Sequence, residues 1–167
     1  VPSGRGRGED SFSPSREEIR AALFRLFDWA DRGEKTPREV LTVGNFADAL
    51  LLYLHLKERG DGRAENVLNL IGRGKGNRSG RGIVSVRWDG SLFADQFSWD
   101  RPLGRWTDIK KLIGDTEKGS PQFKGRCGRC RWLPLCRGNM RARALALTND
   151  IAGEDPGCPL LDSEVYA

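Results

Sequence analysis

"RCGRCRWLPLCRGNMRARA", residues 126–144, sets Cys127, Cys130 and Cys136 close together, surrounds them with arginine and runs into a helical pattern. The chain has one other cysteine, Cys158, with Pro159 directly behind it. At 167 residues the chain can bury an ordinary core, so disulfide staples are not needed for size. In a reducing compartment, clustered thiols bind metal or do redox work more often than they pair with each other. Incidental buried thiols would not all gather in the last quarter of a chain.

The spacing C-x2-C-x5-C with a remote fourth cysteine supplies four ligands, enough for a tetrahedral zinc or one 4Fe-4S cube. Zinc ribbons usually pair two C-x2-C knuckles, and here the second is missing. Iron-sulfur proteins commonly join a compact triplet to a distant cysteine beside proline. Arg126, Arg129, Arg131, Arg137, Arg141 and Arg143 would lower the cost of burying an anionic cube and raise its potential. A helix starting near Gly138 would turn its positive end toward Cys136. A Zn(Cys)4 site is anionic too, so the charge pattern leaves both metals open.

Net charge is +5 with a pI near 9.3, which makes anions the expected partners. A second basic patch, Arg73, Lys75, Arg78 and Arg81, lies in the glycine-rich "GRGKGNRSGRG" at 72–82. That run matches neither a phosphate loop nor a dinucleotide fingerprint; it reads as a mobile linker between two substructures, with an anion or carboxylate contact as the alternative. A zinc-stapled module that binds nucleic acid through these patches is the second reading of the whole chain. A metal-free scaffold is the third. No run approaches the roughly 20 apolar residues of a spanning helix, and "VPSGRGRGED" is neither signal peptide nor anchor, so no membrane partner and a soluble, cytoplasmic protein are expected. The absent initiator Met suggests a trimmed chain.

Residues 1–14 are Gly, Ser, Pro and charge and read as a flexible leader. "SREE" offers a capping box with Ser15 and Glu18, opening a helix whose apolar face is Ile19, Leu23, Leu26, Phe27 and Ala30 and which stops at Gly33. "REVLTVG" predicts a short buried strand through Val40 and Val43, then a helix from about 45 to 57 burying Phe46, Leu50 and Leu54. A strand feeding a helix is half a βαβ unit. Another short helix is expected in "AENVLNLIG". "IVSVRW-DG-SLFADQF" predicts a hairpin with a type I′ turn at Asp89-Gly90, and "WTDIKKLIG" a short helix capped at Thr107. The single histidine, His55, has no second His to join and reads as a packed or surface residue.

The segment "RCGRCRWLPLCRGNMRARALALTNDIAGEDPGC" resembles the C-terminal auxiliary-cluster (SPASM or twitch) region of radical S-adenosylmethionine enzymes, most of all those that modify tetrapyrroles. Gly76-Asn77-Arg78-Ser79-Gly80 is similar to their "GNSSG"-like segment. Asp89, Gly90, Asp95-Gln96-Phe97 and Leu103-Gly104 are similar to their hairpin region. The likeness runs in consistent order over about residues 38–167.

The resemblance implies that Cys127, Cys130, Cys136 and Cys158 hold one auxiliary 4Fe-4S cluster. Two-cluster relatives carry a further cysteine where this chain has Met140, so one cluster is the limit. It also implies a fold: an α/β (α+β) chain with a strand-helix remnant of a partial barrel at 15–72, then a β-hairpin and a Cys-rich helical iron-sulfur cap at 73–167. The radical enzymes hold their catalytic cluster with C-x3-C-x2-C, which this chain lacks. S-adenosylmethionine and a second 4Fe-4S cluster are therefore expected only with a barrel, either as a missing N-terminal part or as a separate subunit. The cluster would relay electrons or position substrate in modified-haem biosynthesis. Arg78, Arg81, Asp95 and Gln96 are the candidates for contact with an anionic tetrapyrrole.

Overall fold

The computed structural model describes residues 13–32, 39–111 and 122–166. The leader expected at 1–14 lies almost wholly outside them, as does Gly33. Helix α1 (Arg16–Asp31) begins as the sequence dictates: Ser15 Oγ accepts from the Glu18 N–H and Glu18 reaches back to the Ser15 N–H at 2.8 Å. Its inward face is Ile19, Leu23, Phe24 and Phe27, while Leu26 turns to solvent. α2 (Phe46–Glu58) buries Ala47, Leu50, Leu51, Tyr53 and Leu56, with Phe46 and Leu54 only half-buried. α3 (Ala64–Gly74) packs against α2 and runs past its expected end at Gly72, taking Arg73 and Gly74 into the helix.

The strand expected at Val40 and Val43 is absent. Residues 39–45 are irregular, nothing described pairs with them, and Leu41 and Val43 are 77% and 63% exposed. β-branched residues favour a pleated surface only where a neighbouring strand supplies the ladder.

The hairpin is present, with a different turn. β1 (Ser85–Val86), β2 (Ser91–Phe93) and β3 (Gly104–Arg105) form an antiparallel sheet in the order β1-β2-β3. The register pairs Val86 with Leu92, and the Arg87 N–H donates to Ser91 O, which leaves a three-residue loop, Trp88-Asp89-Gly90. Gly90 alone of the three has positive φ, at +83°, so the turn is a type I turn closed by a left-handed glycine rather than type I′. The Asp89 carboxylate explains the choice: it accepts from the Ser91 N–H at 2.9 Å and from the Arg87 guanidinium. The next helical turn is 3-10, at Trp106–Asp108, capped by Asp108 on the Arg105 N–H at 3.0 Å and not by Thr107. Its expected end at Gly114 lies outside the described residues.

Short helices α4 (Gly125–Gly128) and α5 (Leu133–Cys136), then α6 (Arg141–Thr148) and α7 (Asp162–Tyr166), complete an α+β arrangement in which 49% of the described residues are helical. One apolar cluster joins Leu23 of α1 and Leu50, Leu51 and Tyr53 of α2 to Trp132, Leu160 and Val165. The rings of Tyr53 and Trp132 meet edge-on at 5.7 Å, and Trp132 Nε1 donates to Glu164 O at 2.8 Å. No described helix is long and apolar enough to cross a membrane. His55 is a packed residue: its ring lies tilted against Phe24 at 5.0 Å and its Nε2 is 3.2 Å from Arg59 Nη1. Leu51 is fully buried in that cluster, so Leu51→Ala is expected to cost about 2–5 kcal/mol in urea denaturation.

Asp48, in the first turn of α2, is a buried carboxyl. Burial pushes its pKa up to about 6, opposed by a hydrogen bond from Thr42 and by Arg143. The folded chain thus holds this proton more tightly than the unfolded chain. That contribution favours folding at low pH, is lost as pH rises from about 4 to about 6, and stays lost above. Asp48→Asn is expected to flatten this part of the stability–pH curve and to gain about 2–3 kcal/mol at pH 7.5, read by urea midpoints across pH.

Candidate metal centre

All four cysteines line one small, apolar cavity, and none is in a disulfide. Cys127 comes from α4, Cys130 from the turn after it, Cys136 from the end of α5, and Cys158 from the loop before α7. Ala47 and Leu50 of α2 close the cavity from the core side. Among the described residues, no three His, Cys, Asp or Glu side chains are gathered tightly enough to hold a single metal ion. Burial raises the Cys130 and Cys158 thiols above their ordinary range and raises Cys136 furthest, with the charges of Cys158, Cys127 and Cys130 adding to it. Thiols of this kind are neutral when nothing binds them, and a metal must displace their protons.

The backbone after Cys136 is unusual. Arg137, Gly138 and Asn139 all have left-handed φ, at 53°, 87° and 55°. This run turns the Asn139 N–H onto Cys136 Sγ at 3.1 Å. The helix expected from Gly138 starts instead at Arg141, so a single backbone amide faces Cys136, and the expected alignment of a helix end is not what reaches it. Left-handed non-glycine residues cost about 1–2 kcal/mol each, and the Asn139 side chain helps to offset this. Its Oδ1 accepts from the Ala47 N–H at 3.0 Å, and its Nδ2 donates to Asp155 Oδ2 at 2.8 Å. Its carbonyl accepts from Asn77 Nδ2.

Asp155 is the second anchor. Its fully buried carboxylate accepts from Asn139 Nδ2, the Met140 N–H, Arg143 Nε and Nη2, and the Gly157 N–H. Its carbonyl accepts from the Cys158 N–H at 3.0 Å. One carboxylate therefore couples the loop of Cys136 to the loop of Cys158. From α1, Arg16 Nε donates to Cys158 O at 3.2 Å, and Arg20 holds Pro159 O and Glu164.

Most of the arginines around the cysteines are spent on structure. Arg143 binds Asp155 and Asn45, and Arg141 donates to the carbonyls of Gly138, Ile151 and Gly153. Arg129 and Arg131 lie over the rings of Tyr166 and Trp132. Arg126 is held as well, but in the cavity wall: it is buried, pairs with Asp162 at 2.6 Å, donates to Leu160 O, and lines the cavity together with Cys158.

The glycine-rich run is not a free linker at its centre. Gly76 and Asn77 are buried, and the Asn77 N–H donates to Cys136 O at 3.0 Å. A Cβ on Gly76, whose φ is +58°, would fall on the carbonyls of Leu135 and Cys136. Gly76→Ala is expected to destabilise the protein by about 2–4 kcal/mol through strain and overpacking, read by thermal and urea unfolding. This docking brings Arg78 and Arg81 beside the cysteine loop. Arg78 is exposed with its guanidinium over Gly82, and Arg81 is half-buried within electrostatic reach of Arg137. Asp95 is buried, its Oδ1 holding the Phe97 N–H at 2.9 Å and the Ser98 hydroxyl at 2.8 Å, while Gln96 is exposed. Asn139 and Asp155 were not among the residues the sequence singled out, and Asn77 entered only within the Gly76–Gly80 resemblance. Asn139 and Asp155 carried a turn signal: Gly138-Asn139, and Asp155-Pro156-Gly157.

No family model matches the chain, and no solved structure matches it. Two curated proteins do. The Fe-coproporphyrin III synthase of Methanosarcina barkeri is 37% identical in an alignment that covers 99% of this chain and 45% of that protein. The pre-heme d1 synthase of Dinoroseobacter shibae is 31% identical in one that covers 98% of this chain and 44% of that protein. The chain thus spans a little under half the length of the curated relatives it matches. Nearly every residue of it takes part in that likeness, so the chain is homologous over almost its whole length to part of the Fe-coproporphyrin III and pre-heme d1 synthases, which are radical S-adenosylmethionine enzymes of the haem pathway.

Proposed function

We propose that this chain is the auxiliary-cluster segment of such an enzyme and that Cys127, Cys130, Cys136 and Cys158 bind one 4Fe-4S cluster. The observation that carries the reading is the single cavity lined by all four thiols, with the loops of Cys136 and Cys158 tied by one buried carboxylate. The donor set fits: four thiols match the four irons of a cube. When bound, such a cluster supplies one-electron transfer. The chain's own residues enclose it, with Ala47 and Leu50 on the core side, the Asn139 N–H on Cys136, and Asp155 fixing the spacing between Cys136 and Cys158.

In this reading α1–α3 accompany a partial barrel that carries C-x3-C-x2-C and binds S-adenosylmethionine. The exposed Leu41 and Val43 are the apolar contacts offered to it. An anionic tetrapyrrole would lie against Arg78 and Arg81, beside the cysteine loop. The internal employment of Arg126, Arg141 and Arg143 leaves the nucleic-acid reading without its main basic surface.

Four thiolates close every iron of a cube, and cleavage of S-adenosylmethionine needs an open one. The reconstituted chain with dithionite and S-adenosylmethionine is therefore expected to show the electron paramagnetic resonance of a reduced cube and to form no 5′-deoxyadenosine. Multiple turnovers from this chain alone would mean that one of the four cysteines is not a ligand.

A further inference from the structure

We infer that Arg126, alone among the arginines around the cysteines, sets the reduction potential of the cluster site through Cys158. The inference rests on the cluster reading above. Six arginines surround the cysteines in sequence, and net charge alone would let all of them act. The structure separates them. Arg141 and Arg143 are held by carbonyls, Asp155 and Asn45, and Arg129 and Arg131 lie on aromatic rings. Arg137 does not line the cavity. Arg126 does line it, with the four thiols.

Its placement is fixed from three sides. Arg126 immediately precedes Cys127, its Nε is locked on Asp162 Oδ1 at 2.6 Å, and its Nη2 donates to Leu160 O, two residues beyond Cys158. Its backbone N–H meets Glu154 at 3.2 Å. The side chain is 9% exposed, whereas that of its partner Asp162 is 66% exposed, so water screens the carboxylate far more than the guanidinium. The cavity therefore feels a net positive group set in its wall together with Cys158.

The electronic consequence has a sign. A cube gains one negative charge on reduction, and a buried cation or an N–H donor on a ligand sulfur stabilises the reduced form more than the oxidised form. Arg126 thus raises the potential. The Asn139 N–H on Cys136 acts in the same direction but, being backbone, cannot be removed by substitution. Arg126 is a positioning and tuning residue, not a catalytic one, because it lies in the wall of the ligand cavity and meets no reacting atom.

The test is a dithionite-poised redox titration, followed by electron paramagnetic resonance, of anaerobically reconstituted wild type, Arg126→Met, Arg126→Lys and Arg129→Met. At a fixed poise, Arg126→Met is expected to lower the reduced-to-oxidised ratio about tenfold, equivalent to about 59 mV for a one-electron couple. Arg126→Lys keeps the charge but loses the planar fork, and is expected to lower the ratio by a smaller factor of about three. Arg129→Met removes the same charge from the Tyr166 ring and should leave the ratio within about twofold. An unchanged ratio in Arg126→Met with full iron overturns the inference, as does an equal fall in Arg129→Met, which would mean general charge. Where Arg126→Met fails to hold iron, Arg126→Lys decides, and an unchanged ratio there overturns the inference too. A wild-type chain that takes up no iron fails earlier and distinctly, since the cluster reading itself is then lost.

Discussion

Cys158→Ala is expected to abolish the full cluster while leaving the apo-protein folded. The loop that carries Cys158 does not depend on its thiol. The Cys158 N–H is held by Asp155 O, its carbonyl by Arg16, the Pro159 carbonyl by Arg20 and the Leu160 carbonyl by Arg126. Removing one half-buried sulfur should therefore shift apo-protein stability by no more than about 1 kcal/mol. The metal site loses a quarter of its ligands. Iron per chain should fall from about four to three or fewer, with the spectrum of a smaller cluster or none. The comparison of apo-protein denaturation with holo-protein iron separates a ligand from a core thiol. A normal cluster in Cys158→Ala would show that residue 158 is not a ligand.

Asp155→Ala is expected to have the opposite pattern, losing fold and metal together. The carboxylate is wholly buried and takes donors from Asn139, Met140, Arg143 and Gly157. Its removal strands a guanidinium that is 15% exposed, together with an amide and two backbone N–H groups. Breaking a buried pair from one side costs about 3–5 kcal/mol, because the remaining charge is uncompensated. Urea denaturation of the apo-protein reads that loss directly. Asp155→Asn keeps one carbonyl acceptor and should fall between the wild type and Ala. A stable Asp155→Ala apo-protein would mean that the loops of Cys136 and Cys158 are held by something else.

Local chemistry was legible in the sequence and pairing was not. The Ser15 and Glu18 capping box, α2 and α3 follow from residues within one turn of each other, and the structure has them. The strand at Val40 and Val43 fails because an extended run is a strand only when another strand lies beside it. The Asp89-Gly90 hairpin is right in place and wrong in turn type, since the Asp89 carboxylate, through Ser91 and Arg87, favours a longer loop. The four cysteines could be grouped by spacing because few other roles suit clustered thiols. What holds them could not. Asn139 reaches Ala47, 92 residues away, and Asn77 reaches Asn139, 62 away, and no periodicity signals such contacts. The arginines show the same limit: composition counts six beside the cysteines, and only tertiary packing distinguishes the one in the cavity wall from the others.

Metal analysis of the anaerobically reconstituted, desalted chain tests the central claim most directly. Four thiols on one cavity predict a brown protein with about four iron and four acid-labile sulfide per chain. A colourless protein carrying one zinc per chain, or no metal at all, would contradict it.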